Sequence, residues 1–205
     1  MKALPLIVVS VACMSLLGSP ASGQTIEVVP SAATAFVGGT ISVDVVASGL
    51  GANMSPSIGA FDIDVGFDPA ILAPAGVSFG SFLGVVGTDA LSSSSNSIGN
   101  VNVTETSLLA AASLNTLQPA SFTLVTLTFN VIAKGTSPVQ LSLNALADEN
   151  GSALGASTAN ANIASVNLVG APVLSPHAML SLFLLLLAAG LRPLVLNARP
   201  ANRAR

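Results

Sequence analysis

Gly59-Ala60-Phe61-Asp62-Ile63-Asp64-Val65-Gly66-Phe67-Asp68-Pro69-Ala70-Ile71-Leu72 is the stretch on which the fold turns. Phe61, Ile63, Val65 and Phe67 share one parity, and Asp62, Asp64 and Asp68 share the other. Side chains of a strand alternate faces, so the pattern predicts a strand with one apolar and one acidic face. Gly66 inside it suggests a bulge or a close backbone approach. Asp68-Pro69 ends the run, because proline has no N–H to give to a ladder. An apolar strand face needs a cover, and the rest of the chain must supply it.

The flanking sequence offers more strands of the same kind. Gln24 to Pro30 and Thr40 to Ser48 precede it, joined through a tight turn at Gly38-Gly39. Val77 to Val86, Ile98 to Thr106, Ser121 to Ala133, Val139 to Ala145 and Ile163 to Leu168 follow. Thr88 to Asn96, with four consecutive serines, reads as a surface loop, and Leu108 to Leu114 as either a helical turn or a covering segment. Ala70 to Leu72 reads as an irregular turn that plugs the core. Strands separated by short Gly, Pro, Ser and Asn turns, with no clear helix before residue 173, predict an all-β sandwich or jelly roll of eight or nine strands.

The two ends differ from this middle. Residues 1–23 run basic, apolar, then small, which is the order of a secretory signal peptide. Residues 171–205 contain a leucine-rich apolar run, Val173 to Leu191, of 19 residues, just short of the roughly 20 that cross a bilayer, followed by Arg192, Arg199, Arg203 and Arg205. That order predicts a transmembrane anchor with a cytoplasmic arginine-rich tail. Residues 24–170 form the predicted domain. Within them Lys134 stands alone against nine acidic residues, a net charge of −8. Such a surface repels phosphate backbones and excludes nucleic acid as a partner. The one cysteine, Cys13, falls in the leader, so the domain must be held by its core without a disulfide.

Two further stretches carry a family resemblance. Val37-Gly38-Gly39-Thr40 leads into a strand, and Ser121 to Phe129 is followed by Ala133-Lys134-Gly135-Thr136-Ser137. Together with the run from Gly59 to Pro69 and Leu72, these resemble the cohesin family over about residues 24 to 168. The resemblance implies a nine-stranded jelly-roll β-sandwich, related in fold to carbohydrate-binding modules. It also implies binding of a dockerin-like or other envelope protein through one sheet face. The C-terminus resembles a bacterial sorting tail, though without its usual Pro-Glu-Pro motif.

Catalysis has little to work with. His177 is the only histidine and lies at the predicted membrane edge, so no Ser-His-Asp, Cys-His or histidine-rich metal site can form in the domain. Asp62 and Asp64 stand about 7 Å apart on one strand face, a separation glycosidases also use. An open strand face supplies no raised pKa for general acid catalysis, so a solvated acidic face is expected. Asp148, Asn150 and Gly151 are half of a calcium loop without its terminal glutamate and read as a turn. With no Trp or Tyr, stacking on crystalline polysaccharide has no platform, which leaves carbohydrate binding to the hydrogen-bonding faces. The expectation is therefore a non-enzymatic envelope module without cofactor or metal, binding a protein or, alternatively, polysaccharide, with Asp62, Asp64 and Asp68 as the candidate binding residues.

Overall fold

The computed structural model describes residues 23–168. The leader expected at 1–23, save Gly23, and the anchor expected at 171–205 lie outside the described residues. Among the described residues no helix is long and apolar enough to cross a membrane.

Eleven strands and one short helix follow one another along the chain. They are β1 (Gln24–Pro30), β2 (Thr34–Phe36), β3 (Thr40–Ser48), β4 (Ile58–Gly66), β5 (Leu72–Phe79), β6 (Ala90–Ser97) and β7 (Asn100–Ser107). Helix α1 (Ala111–Leu117) is followed by β8 (Ser121–Val131), β9 (Gly135–Asp148), β10 (Ala156–Ala159) and β11 (Ala161–Val166). One sheet has the order β10-β1-β3-β8-β5 and the other β2-β11-β9-β4-β7-β6. Short β10 and β2 add in parallel at two edges, and the remaining neighbours are antiparallel.

The expected sandwich is present, with the expected face inside. Phe61, Ile63, Val65 and Phe67 are all buried, and so are Val43, Val45, Leu127 and Phe129 from the facing sheet. Phe67 packs on Phe129 with ring centroids 5.1 Å apart, Phe82 on Phe122 at 4.9 Å, and Phe61 on Phe79 at 6.5 Å. Each fully buried aliphatic or aromatic side chain contributes roughly 1.5–3 kcal/mol relative to exposure, so this layer carries the stability of a domain with no disulfide.

Several expectations are corrected. Eleven strands replace the expected nine, because β2 and β10 are too short to show a period and β6 has no apolar parity to read. The serine run expected as a loop is β6, a polar edge strand paired with β7. The strand expected at 77–86 lies earlier, at Leu72–Phe79. It starts early because the Asp68 carbonyl accepts the N–H groups of Ile71 and Leu72, which closes the turn after β4 at once. Pro74 is tolerated there because β5 is an edge. Gly66 is not a bulge: the register breaks of β4 fall between Ile58 and Ala60 and between Asp62 and Ile63. The close approach is at Gly59, where a Cβ would collide with the Asp148 carbonyl oxygen. The undecided segment at 108–114 leads into α1, which buries only Leu114. Buried Gln118 just beyond α1 clamps β4 by accepting from Ile58 N at 2.6 Å and donating to Ile58 O at 2.7 Å.

Candidate functional site

Position in β4 decides the surroundings of the acidic face. β4 lies between β7 and β9, so its outward side chains have neighbours on both flanks. Across β7, Asp62 faces Thr104 and Asp64 faces Asn102. Across β9, Asp62 faces Ala145 and Asp64 faces Ser142, and the register break between them leaves Asn144 as the extra residue. A bulge re-aims a side chain, and here the Asn144 amide reaches both carboxylates. It donates to Asp62 Oδ1 at 3.2 Å and to Asp64 Oδ2 at 2.8 Å.

Two more amides complete the cluster. Asn102 donates to Asp62 Oδ1 at 2.8 Å and to Asp64 Oδ1 at 3.1 Å, and Asn100 donates to Asp64 Oδ1 at 2.8 Å. Hydrogen bonds to an ionised carboxylate favour the charged form. The Asn144 amide first, and then those of Asn100 and Asn102, hold the Asp64 carboxyl below its ordinary range against the opposing effect of burial. Both aspartates are half-buried and stand in a preset array of donors. Among the described residues, Asp62 Oδ2 takes no hydrogen bond, so it is the acceptor still open to an incoming donor. Beside Asp62 the face sinks into a shallow depression of about 460 Å³ lined by small residues, among them Ala60, Thr104, Thr106, Ala145 and Ala147.

Asp68 stands apart from the pair. It lies beyond the end of β4, where its N–H donates to Ser137 Oγ at 2.9 Å and its Oδ1 accepts from Ala70 N at 2.9 Å. Its carboxylate shapes the turn into β5. Asp148 likewise builds a turn, its Oδ1 accepting from the N–H groups of Asn150 and Ser152, each at 2.8 Å. None of the three asparagines is a site residue in the sequence reading. Asn100 and Asn102 alternate with Val101 and Val103, which was a usable signal, whereas Asn144 owes its place to a bulge.

A lowered carboxyl pKa suits hydrogen-bond acceptance and is the wrong direction for a general acid. A family model for the cohesin domain matches residues 26–165. The chain belongs to the cohesin domain family. Several solved cohesins are seen in complex with dockerins. Among curated proteins, none matches the chain. Among solved structures, the sixth cohesin of scaffoldin B from Acetivibrio cellulolyticus, in complex with a mutant Cel5 dockerin, superposes with a TM-score of 0.58 at 17% identity. That match covers 71% of this chain and 100% of the other. The seventh ScaB type I cohesin of Pseudobacteroides cellulosolvens gives 0.57 at 18% identity over 74% and 96%. A non-cellulosomal cohesin from the hyperthermophilic archaeon Archaeoglobus fulgidus gives 0.55 at 17% over 72% and 94%. At these identities the likeness establishes the cohesin fold.

Proposed function

We propose that this cohesin domain is a non-enzymatic interaction module that binds a dockerin-like protein through the outer face of its six-stranded sheet. The observation that carries the reading is the Asp62–Asp64 pair. Two carboxylates are fixed by three asparagine amides, with Asp62 Oδ2 free, on a face that also offers a small-residue depression. Such a face suits a partner that brings hydroxyl, amide or cationic donors to the aspartates and an apolar side chain to the depression. Preorganised acceptors reduce what binding must spend on ordering side chains. Asp68 supports the edge of this face through the turn it holds. The polysaccharide alternative lacks an aromatic platform, since the outward residues around Asp62 are aspartate, asparagine, threonine, serine and alanine.

The leader-like and anchor-like ends support a setting outside the cytoplasmic membrane, with the domain tethered by the C-terminal apolar segment. Titration of the chain with calcium-loaded dockerins from the same genome tests the reading. Saturable binding that weakens at least tenfold in an Asp62→Ala, Asp64→Ala double variant is expected. Binding that the double variant leaves unchanged would move the site elsewhere.

A further inference from the structure

We propose that β6 is a strand-pairing edge through which two copies of this chain associate. Among the described residues four strands form sheet edges: β10, β5, β2 and β6. Exposed edges invite pairing with other chains, and proteins blunt them by brevity, proline, bulges or charge. Here β2 has three residues and β10 has four, while β5 carries Pro74 and a register break between Pro74 and Gly76. Beyond Ala90, where the Val85–Gly87 turn lies against it, β6 has none of these devices. Its eight residues, Ala-Leu-Ser-Ser-Ser-Ser-Asn-Ser, run against β7 in unbroken register, with no proline, glycine or charge.

The free backbone groups can be assigned. The Asp89 carbonyl points towards β7, where it accepts from Leu108 N, and the Ala90 carbonyl accepts from Gly87 N. Antiparallel strands alternate these directions, so Ser92, Ser94 and Asn96 follow Ala90 and turn N–H and C=O away from β7. An antiparallel two-fold through Ser94 uses all of them, pairing Ser94 with its own copy and Ser92 with Asn96.

Charge and symmetry favour a second copy as the occupant. The domain carries −8 overall, yet residues 90–100 carry no charge, so like-charge repulsion along the strand does not oppose a second copy here. The serine run is self-complementary about Ser94, and a two-fold contact uses this edge once and closes at the dimer. The contact is one strand wide, which places its affinity in the weak, transient class. This inference does not depend on the dockerin reading.

The experiment uses the full chain kept in solution with a mild detergent. Sedimentation equilibrium is expected to give a mass that rises with concentration towards two protomers. Ser94→Pro removes only an N–H that faces away from β7, and it is expected to weaken this association at least tenfold with an unchanged circular dichroism spectrum. Should Ser94→Pro unfold, Ser94→Lys replaces it with a like-charge block and the same expectation. On a Cys13→Ser background, Ser94→Cys is expected to form a disulfide between copies under mild oxidation, and Thr158→Cys on the β10 edge is not. A single-protomer mass at the highest concentration together with no Ser94→Cys cross-link overturns the proposal. So does a dimer that Ser94→Pro or Ser94→Lys leaves intact.

Discussion

Asp64 and Glu105 sit on neighbouring strands of one sheet, on opposite faces, and the protein treats their carboxyls in opposite ways. Asp64 on the outer face accepts from three amides, which lower its pKa. Glu105 points into the sandwich on the parity of Val101 and Val103, with Phe61 and Ser92 as its cross-strand neighbours. It is buried, and neither carboxyl oxygen has a hydrogen-bond partner among the described residues. Burial pushes it up to about 7. β4, β5, β6 and α1 add no charge on that inner side: Asp62 and Asp64 face outward, and Asp89 precedes β6. The contrast teaches that acidity alone does not mark a site. One carboxylate is held ready in its charged form, while the other folds best when neutral.

The strongest challenge to this picture replaces an inner residue between the two aspartates. Ile63→Ala removes a fully buried side chain and is expected to cost about 2–5 kcal/mol of stability, read by chemical denaturation. A cost below about 1 kcal/mol would mean that the two faces are not divided as described.

Glu105 gives the next largest effect, and its sign is fixed by the direction of its shift. The unfolded chain releases this proton near 4.5 and the folded chain near 7. The Glu105 contribution to stability is therefore greatest below 4.5, falls as pH rises to about 7, and is level above that, for a total of about 3 kcal/mol. Denaturation of Glu105→Gln across the same range is expected to lose this slope. An identical slope in the variant would assign it to another group.

Smaller effects belong to the outer face. Asp62→Ala alone is expected to weaken partner binding by about tenfold, ~1.4 kcal/mol, with little change in melting temperature. Asp64→Asn should change stability at neutral pH by less than about 1 kcal/mol, because solvent screens the outer cluster. Asp64 has the opposite sign to Glu105: its contribution is present above the ordinary aspartate pKa and fades as pH falls below it. A stability profile of Asp64→Asn that matches the parent chain in acid but not at neutral pH would sharpen the contrast.

How much of this was legible in the sequence follows from which signals have a period. The alternation through Phe61, Ile63, Val65 and Phe67 gave the central strand, its buried face and the sandwich, because a half-buried strand writes its environment every second residue. The edge β6 was hidden, since exposure on both faces leaves serine nothing to alternate with. The start of β5 was hidden because a turn closed by the Asp68 carbonyl depends on backbone geometry rather than residue type. At the candidate site, Asp62 and Asp64 were legible from parity. Their amide partners depended on strand order, and Asn144 on a bulge as well, neither of which is local. Glu105 stood on the apolar parity of β7 in plain view, as the one position where the pattern and the residue disagree.

The claim that the outer face recognises and the inner face packs is tested most directly by hydrogen–deuterium exchange of the chain with and without a bound dockerin. Slowed exchange in β4, β7 and β9, with β1, β3 and β8 unchanged, is the predicted footprint. Protection confined to β1, β3 and β8 would contradict it.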